Sequence, residues 1–330
     1  MFSPLLFAAC LCHLHSATSS TTLRVFSEGG GDFTSVQAAV NSLVPGSGSA
    51  TLLLKGVFTE RVNVYANLTQ GVDLIGLGAE RPLITFNVSG AGGSGCSGTG
   101  GPGTFGSYTM QINADDVRLL NINVANSACD YRNHPAGQSV ALDIRGDRVA
   151  LFNCSLFGAQ DTLYTGAQRS YFSDLFINGT CDSIFGEGSA AFERATIRMD
   201  YTVTAQKGNG STAYLFLNSS VDVLTEGPGT LRLGRPWGPF SHTVFSGCTL
   251  GPGVAAIGWD DWSHNCSRSP PGGGWCNSTF YAEFDNTGPG YVPSARPFWA
   301  HILNATEGSQ WTVARVLGDW QPASPMNVRE

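Results

Sequence analysis

Val117-Arg-Leu-Leu-Asn-Ile-Asn-Val124 returns along the chain in recognisable copies: Val149-Ala-Leu-Phe-Asn-Cys-Ser-Leu156, Ser170-Tyr-Phe-Ser-Asp-Leu-Phe-Ile177 and Ala191-Phe-Glu-Arg-Ala-Thr-Ile-Arg198. Tyr214-Leu-Phe-Leu-Asn-Ser-Ser-Val221 and Val244-Phe-Ser-Gly-Cys-Thr-Leu250 continue the series. Each copy is short, rich in strand formers and bounded by Gly, Asp or Asn, which favour turns. The copies lie about 20 to 32 residues apart, in the range of solenoid repeats. One such unit cannot bury its apolar face alone, so neighbouring units must stack. Without the helical stretch of a leucine-rich repeat or the Trp-Asp mark of a propeller, the pattern predicts an all-β fold, a right-handed, single-stranded parallel β-helix.

The flanks agree. Phe33, Val36, Ala39 and Val40 have the spacing of a short amphipathic helix, and Thr51-Leu-Leu-Leu-Lys55 reads as a strand. The stretch from Ser89 to Gly106 is glycine-rich and reads as a long loop, without the Gly-Lys-Ser/Thr of a phosphate-binding loop. Met1 to Ser20 carries an apolar run followed by small residues, as a secretory signal peptide does. Residues 21–330 are then expected to form a single domain, since no linker divides them.

Charged residues make up only 13% of the 330 and hydrophobic ones 42%, a globular rather than a disordered balance. The formal net charge of −7, with no basic stripe, argues against nucleic acid as a partner. A polyanionic polymer would be repelled weakly and salt-dependently. Past the leader, no stretch is long and apolar enough to span a bilayer. Removal of the leader takes Cys10 and Cys12 and leaves seven cysteines, an odd number, so at least one is not paired within the chain. Cys266 with Cys276, around a Pro/Gly-rich loop, and Cys96 with Cys129 are the expected disulfides. Nine Asn-x-Ser/Thr acceptors, with the leader, suggest an extracellular glycoprotein; Asn153 falls inside a strand unit and is expected to stay unmodified.

Gln138, Gln160 and Asp182 recur at 22-residue intervals, and Asp161 follows Gln160 directly. On coils of that length the three would share one row, bringing two amides and two carboxylates to one surface. Singly, each has a plainer explanation: aspartates favour turns, stacked glutamines can form amide ladders, Arg235 could be a structural ion pair and Trp237 core. Together they can do ester chemistry. A carboxylate nucleophile must be ionised, which a nearby guanidinium favours, and a proton donor must stay protonated, which a second carboxylate favours. No Gly-x-Ser-x-Gly elbow is present, and no histidine pair has metal-ligand spacing. The acidic pairs Asp115-Asp116 and Asp260-Asp261 read as solvated turns rather than calcium ligands.

Gln138-Ser-Val-Ala-Leu142, Gly158-Ala-Gln-Asp-Thr-Leu-Tyr164, Asp182-Ser-Ile-Phe-Gly186, Leu233-Gly-Arg-Pro-Trp237 and Gly56-Val-Phe-Thr-Glu60 stand in the order of the signature blocks of the plant-type pectin methylesterases, which the chain resembles from about Val25 to Pro322, without the N-terminal inhibitor-like region. The resemblance implies hydrolysis of galacturonate methyl esters in pectin, with Asp182 as nucleophile and Asp161 as general acid, then base. It implies Gln138 and Gln160 as oxyanion donors, Arg235 as the partner of Asp182, and Trp237 and Phe58 at the sugar. It also implies methyl-esterified homogalacturonan as partner, a proteinaceous inhibitor as a second, a monomer secreted to the cell wall, and no cofactor or metal. Departures are Ser183 for the usual Phe, Phe58 for Tyr, Cys181 for Val, and Leu175 where many relatives have Cys, which removes a bond to Cys154. Ser183 and Phe58 motivate an alternative, a catalytically weak pectin-binding wall protein. A lyase or glycosidase on the same scaffold would cut the chain instead of releasing methanol.

Overall fold

The computed structural model describes residues 20–66, 68, 71–91, 101–129, 137–166, 168–225, 227, 229–264, 275 and 278–324. The repeated units become successive coils of a right-handed parallel β-helix with three faces. Its sheets have eleven, eight and seven strands, and all named strand pairs are parallel. Right-handed connection is what strand twist imposes on parallel crossovers.

Each repeated unit supplies one strand to the first sheet and one to the second. Val117–Leu120 and Asn123–Asn126 are such a pair, as are Ser189–Glu193 and Thr196–Met199. A two-residue corner joins them, and its first residue has a positive φ: Asn121, Asn153, Asp174, Arg194, Asn218, Gly247 and Asp285. Asn, Asp and Gly tolerate that left-handed conformation best, which explains their recurrence there. The second corner residue points inward; Ile122, Cys154, Leu175, Ala195 and Cys248 are all at most 1% exposed. Asn153 is thus an exposed corner residue, not a mid-strand one as its sequence suggested. It accepts a hydrogen bond from Arg81 and donates one to Asn121.

Inside, equivalent positions stack coil upon coil. Leu119, Leu151, Phe172, Phe192, Phe216 and Phe245 form one register column. The four phenylalanine rings lie parallel at 4.5, 4.5 and 4.3 Å between centroids, close to the spacing of paired strands. The repeat therefore encodes a continuous core, running from Val25 to Trp299. The expected helix is Val36–Ser42, with Val36, Ala39 and Val40 buried against the first coils.

Phe58 departs from its expected place. It is the middle residue of Val57–Thr59, whose flanking residues are exposed, and it points into the coil, 2% exposed, opposite Ile84. Cys154, Cys181 and Cys248 are free, in keeping with Leu175 standing beside Cys154 as a buried corner residue. Cys129 is disulfide-bonded. Cys96, Cys266 and Cys276 lie outside the described residues, as does the leader up to residue 19.

Candidate active site

A cavity of about 250 Å³ opens on the outer face of the third sheet, lined by Gln138, Gln160, Asp161, Asp182, Arg235 and Trp237, with Thr104, Phe105, Phe185, Ala205 and Trp262. Six of the seven residues singled out from sequence therefore meet here, and Phe58 does not. A larger cavity of about 630 Å³ lies beneath the C-terminal helices around His242, Phe280, His301, Trp311 and Arg315, but it contains no carboxylate pair.

Backbone pairing places the polar groups. Gln138 bridges to Gln160, as the 22-residue interval predicts. The strands step by 21 residues, Leu142 to Leu163 and Leu163 to Ile184, and the extra residue of the bridge lies between Gln138 and Leu142, whose N–H and that of Ala141 both donate to the Thr162 carbonyl. Leu163 pairs with Ile184, which sets Asp161, rather than Gln160, opposite Asp182. The two aspartates occupy neighbouring coils, about 5 Å apart along the stack. Both have positive φ, 63° at Asp161 and 50° at Asp182. The turn propensity that offered a plain explanation for each is thus also what aims each carboxyl outward. Thr162 and Ser183, which follow, are wholly buried. Ser183 therefore does not face the cleft, and its hydroxyl has no hydrogen-bond partner among the described residues.

Asp182 is 4% exposed and Asp161 8%. Arg235 closes on Asp182 in a two-pronged pair, Nε donating to Oδ1 at 2.7 Å and Nη2 to Oδ2 at 2.5 Å. The same Nη2 lies 3.2 Å from the Cys181 sulfur. Trp262 covers the guanidinium, its ring centroid 3.9 Å from Cζ. Burial works against the charge of Arg235, yet the hydrogen bonds to Asp182 and its negative charge outweigh burial and raise the pKa. Asp161 has no such partner among the described residues. Burial first, and the charge of Asp182 second, push its pKa well above the ordinary carboxylate range, against a smaller opposing pull from Arg235. Cys181 is also pushed up, to about 12, chiefly by burial, so it is a thiol rather than a thiolate.

Two like groups thus sit in unlike environments. Asp182 is held by a guanidinium, and Asp161 is stabilised in its protonated form. That arrangement can supply a nucleophile and a proton donor at one pH. The side chains of Gln138 and Gln160 line this cavity beside the two aspartates, where amide N–H groups can donate to a developing oxyanion. Gly90 backs Gln138: its N–H donates to the Gln138 carbonyl at 2.8 Å, and a Cβ added there would come 3.1 Å from Gln138 Cβ and 3.2 Å from its Oε1.

Sequence reasoning did not single out Phe105, Phe185 or Trp262. Phe185 was within reach, since it belongs to the Asp182 block. Trp262 follows the Asp260-Asp261 pair, which was read as a solvated turn without regard to the ring beside it; Asp260 fixes that turn by accepting the Trp262 N–H at 2.6 Å.

A family model described as Pectinesterase matches residues 22–319. "Probable pectinesterase/pectinesterase inhibitor 17" of Arabidopsis thaliana is 31% identical over 331 residues, a match covering 94% of this chain and 60% of that protein. "Pectinesterase 31" of the same plant is 30% identical over 297 residues, covering 88% of this chain and 90% of its own length. Among solved structures, pectin methylesterase from carrot superposes with a TM-score of 0.76 at 25% identity, covering 93% of this chain and all of the carrot one.

Proposed function

The chain belongs to the pectinesterase family, and on that premise we propose that it hydrolyses the methyl esters of galacturonic acid units in pectin through an aspartyl nucleophile. The observation that carries the reading is the asymmetric carboxylate pair: Asp182 clamped by Arg235, and Asp161 beside it favoured as the neutral acid.

The chemistry follows from the geometry. An ester carbonyl seated over Asp182 is attacked by its carboxylate oxygen. The carbonyl oxygen becomes an oxyanion, which Gln138 and Gln160 can meet with amide N–H groups at a cost in rate of about 10²- to 10³-fold if one donor is removed. Collapse expels methoxide, and Asp161 gives it the proton, so methanol leaves and the sugar stays joined to Asp182 as an anhydride. Asp161, now a carboxylate, takes a proton from water as that water attacks the acyl carbon. Asp182 departs as a carboxylate, the sugar keeps a free acid, and Asp161 is protonated again. Arg235 fixes the orientation of Asp182 through both cycles, and Trp237 offers a ring to the apolar face of a sugar.

Secretion to a pectin-rich wall, action as a monomer, glycosylation and a protein inhibitor as partner belong to the same proposal. They are supported by the leader-like start, the exposed acceptor asparagines, and relatives whose names join pectinesterase to pectinesterase inhibitor. The weakly catalytic alternative is not favoured, because Ser183 and Phe58 both point into the core rather than the cleft. Methanol release and chain length, followed together on methylated pectin, test the reading. Methanol without shortening is expected; shortening without methanol overturns it in favour of a lyase or glycosidase.

A further inference from the structure

The outward side chains of the third sheet fall into two columns. The first is Asp143, Tyr164, Phe185 and Ala205, one per coil and in register. Its aromatic members form a belt with Phe105 and Trp237, at 4.9 Å for Phe105–Tyr164, 5.1 Å for Tyr164–Phe185 and 5.9 Å for Phe185–Trp237. The second column lies one position past the register partners Ile144, Thr165, Gly186 and Gln206. It consists of Arg145, Gly166, Glu187 and Lys207, so a charged border runs beside the aromatic belt.

These charges are not equally available. Arg145 donates from Nε at 3.1 and 3.2 Å and from Nη2 at 3.0 Å to Asp143, a carboxylate only 1% exposed. Arg235 is committed to Asp182, and Arg61 donates to the carbonyls of Tyr108 and Gly106. Lys207 is different. Its ammonium lies 4.0 Å from Glu187, beyond hydrogen-bond distance, and its side chain is 50% exposed. Glu187 already accepts the Tyr164 hydroxyl at 2.7 Å.

Lys207 is nevertheless held in place. Its N–H donates to the Gly186 carbonyl at 2.8 Å, and the Trp237 N–H donates to the Gln206 carbonyl at 3.1 Å, which fixes the two segments side by side. The stem packs under Gly238, where an added Cβ would come 2.8 Å from Lys207 Cγ. Nζ sits 5.1 Å from the centroid of Trp237, and Trp237 lines the same cavity as Asp182.

Building on the esterase reading, we propose that Lys207 is a specificity residue that binds a free carboxylate on a sugar unit neighbouring the one presented to Asp182. The enzyme then favours esters flanked on that side by a unit already de-esterified. An ammonium on an apolar stem, with donors to spare, gains a charge-assisted hydrogen bond from a carboxylate and much less from a neutral methyl ester. Glu187 moderates the preference, because it partly satisfies Lys207 and repels an incoming acid. The net charge of −7 acts at longer range, where salt screens it; Lys207 acts at contact.

The test compares kcat/KM on partly de-esterified and fully methylated galacturonan oligomers. Lys207→Met is expected to lower the ratio of the first to the second by about fivefold, the upper range for a solvent-exposed ion pair. Lys207→Arg should keep the ratio, and Glu187→Gln should raise it. A ratio unchanged within twofold in Lys207→Met overturns the proposal. A second measurement needs no turnover: titration of fully de-esterified oligogalacturonate, followed by tryptophan fluorescence. Weaker binding by Lys207→Met, and a salt-dependent difference from wild type, are expected; equal binding overturns the proposal. A failure of the esterase reading looks different, since the wild type would then release methanol from none of these substrates while the titration would still report on Lys207.

Discussion

Replacing Asp161 by Asn keeps the shape of the neutral carboxyl group and removes its transferable proton. Wild-type Asp161 is 8% exposed and one coil from Asp182, so its ionised form must tolerate a second negative charge at about 5 Å. At an effective dielectric of about 20 that repulsion is about 3 kcal/mol, which the Arg235 guanidinium offsets in part. The folded-state pKa of Asp161 is raised, so folded protein binds this proton more tightly than unfolded chain does. Wild-type stability from this group is complete below the unfolded carboxylate pKa and is lost as pH rises through the folded one. Asp161→Asn has no proton to lose. Its stability relative to wild type should therefore grow with pH and level off once folded wild-type Asp161 has ionised. Its kcat should fall by about 10²- to 10⁴-fold, the range for a lost general acid and base. In the wild type, kcat/KM should decline on the alkaline side as Asp161 ionises. Urea unfolding from pH 4 to 9, with methanol release on the same samples, measures both effects. A stability excess that shrinks with rising pH, or a kcat within tenfold of wild type, would refute the assignment.

Gly90→Ala should press on the Gln138 side chain and lower kcat by about 10- to 100-fold with little change in KM, because displacement of a donor by a fraction of an ångström is felt mainly in the transition state. Equal losses in both parameters would point to general disruption. Phe58→Tyr, which restores the residue common in relatives, should place a hydroxyl in the core and cost about 1–3 kcal/mol in urea unfolding without a gain in activity. A faster enzyme would return Phe58 to the substrate. Phe192→Ala removes the ring stacked between Phe172 and Phe216 and should destabilise by about 3–5 kcal/mol. A loss under 1 kcal/mol would mean that the stack is not a main support of the solenoid.

Much of the fold was legible because a solenoid presents the same environment once per coil. Leu119, Leu151, Phe172 and Phe192 repeat in sequence since each faces the same interior column. Turn residues marked the corners for the same reason, yet Asn153 was misplaced, because a single left-handed residue between two strands leaves the strand-like composition around it intact. The 22-residue interval revealed that Gln138 and Gln160 pair. It could not reveal that the strands beside this bridge step by 21 residues, so that Asp161 rather than Gln160 faces Asp182; the extra residue is taken up between Gln138 and Leu142, where the Ala141 and Leu142 N–H groups share the Thr162 carbonyl. Phe58 was misassigned because, in a three-residue strand, the choice between inside and outside rests on long-range pairing with Ile84 rather than on a local pattern. Trp262 was invisible for a related reason: its contact with Arg235 depends on a loop returning across the sheet, and no periodicity announces that.

The most direct measurement is methanol release from highly methylated pectin by the wild type beside Asp182→Asn, with circular dichroism to show that both are folded. Release by the wild type and none above background by the variant is the predicted result. Turnover by folded Asp182→Asn close to that of the wild type, or no release by a folded wild type across pH 4 to 9, would contradict the assignment of Asp182 as the nucleophile of an esterase.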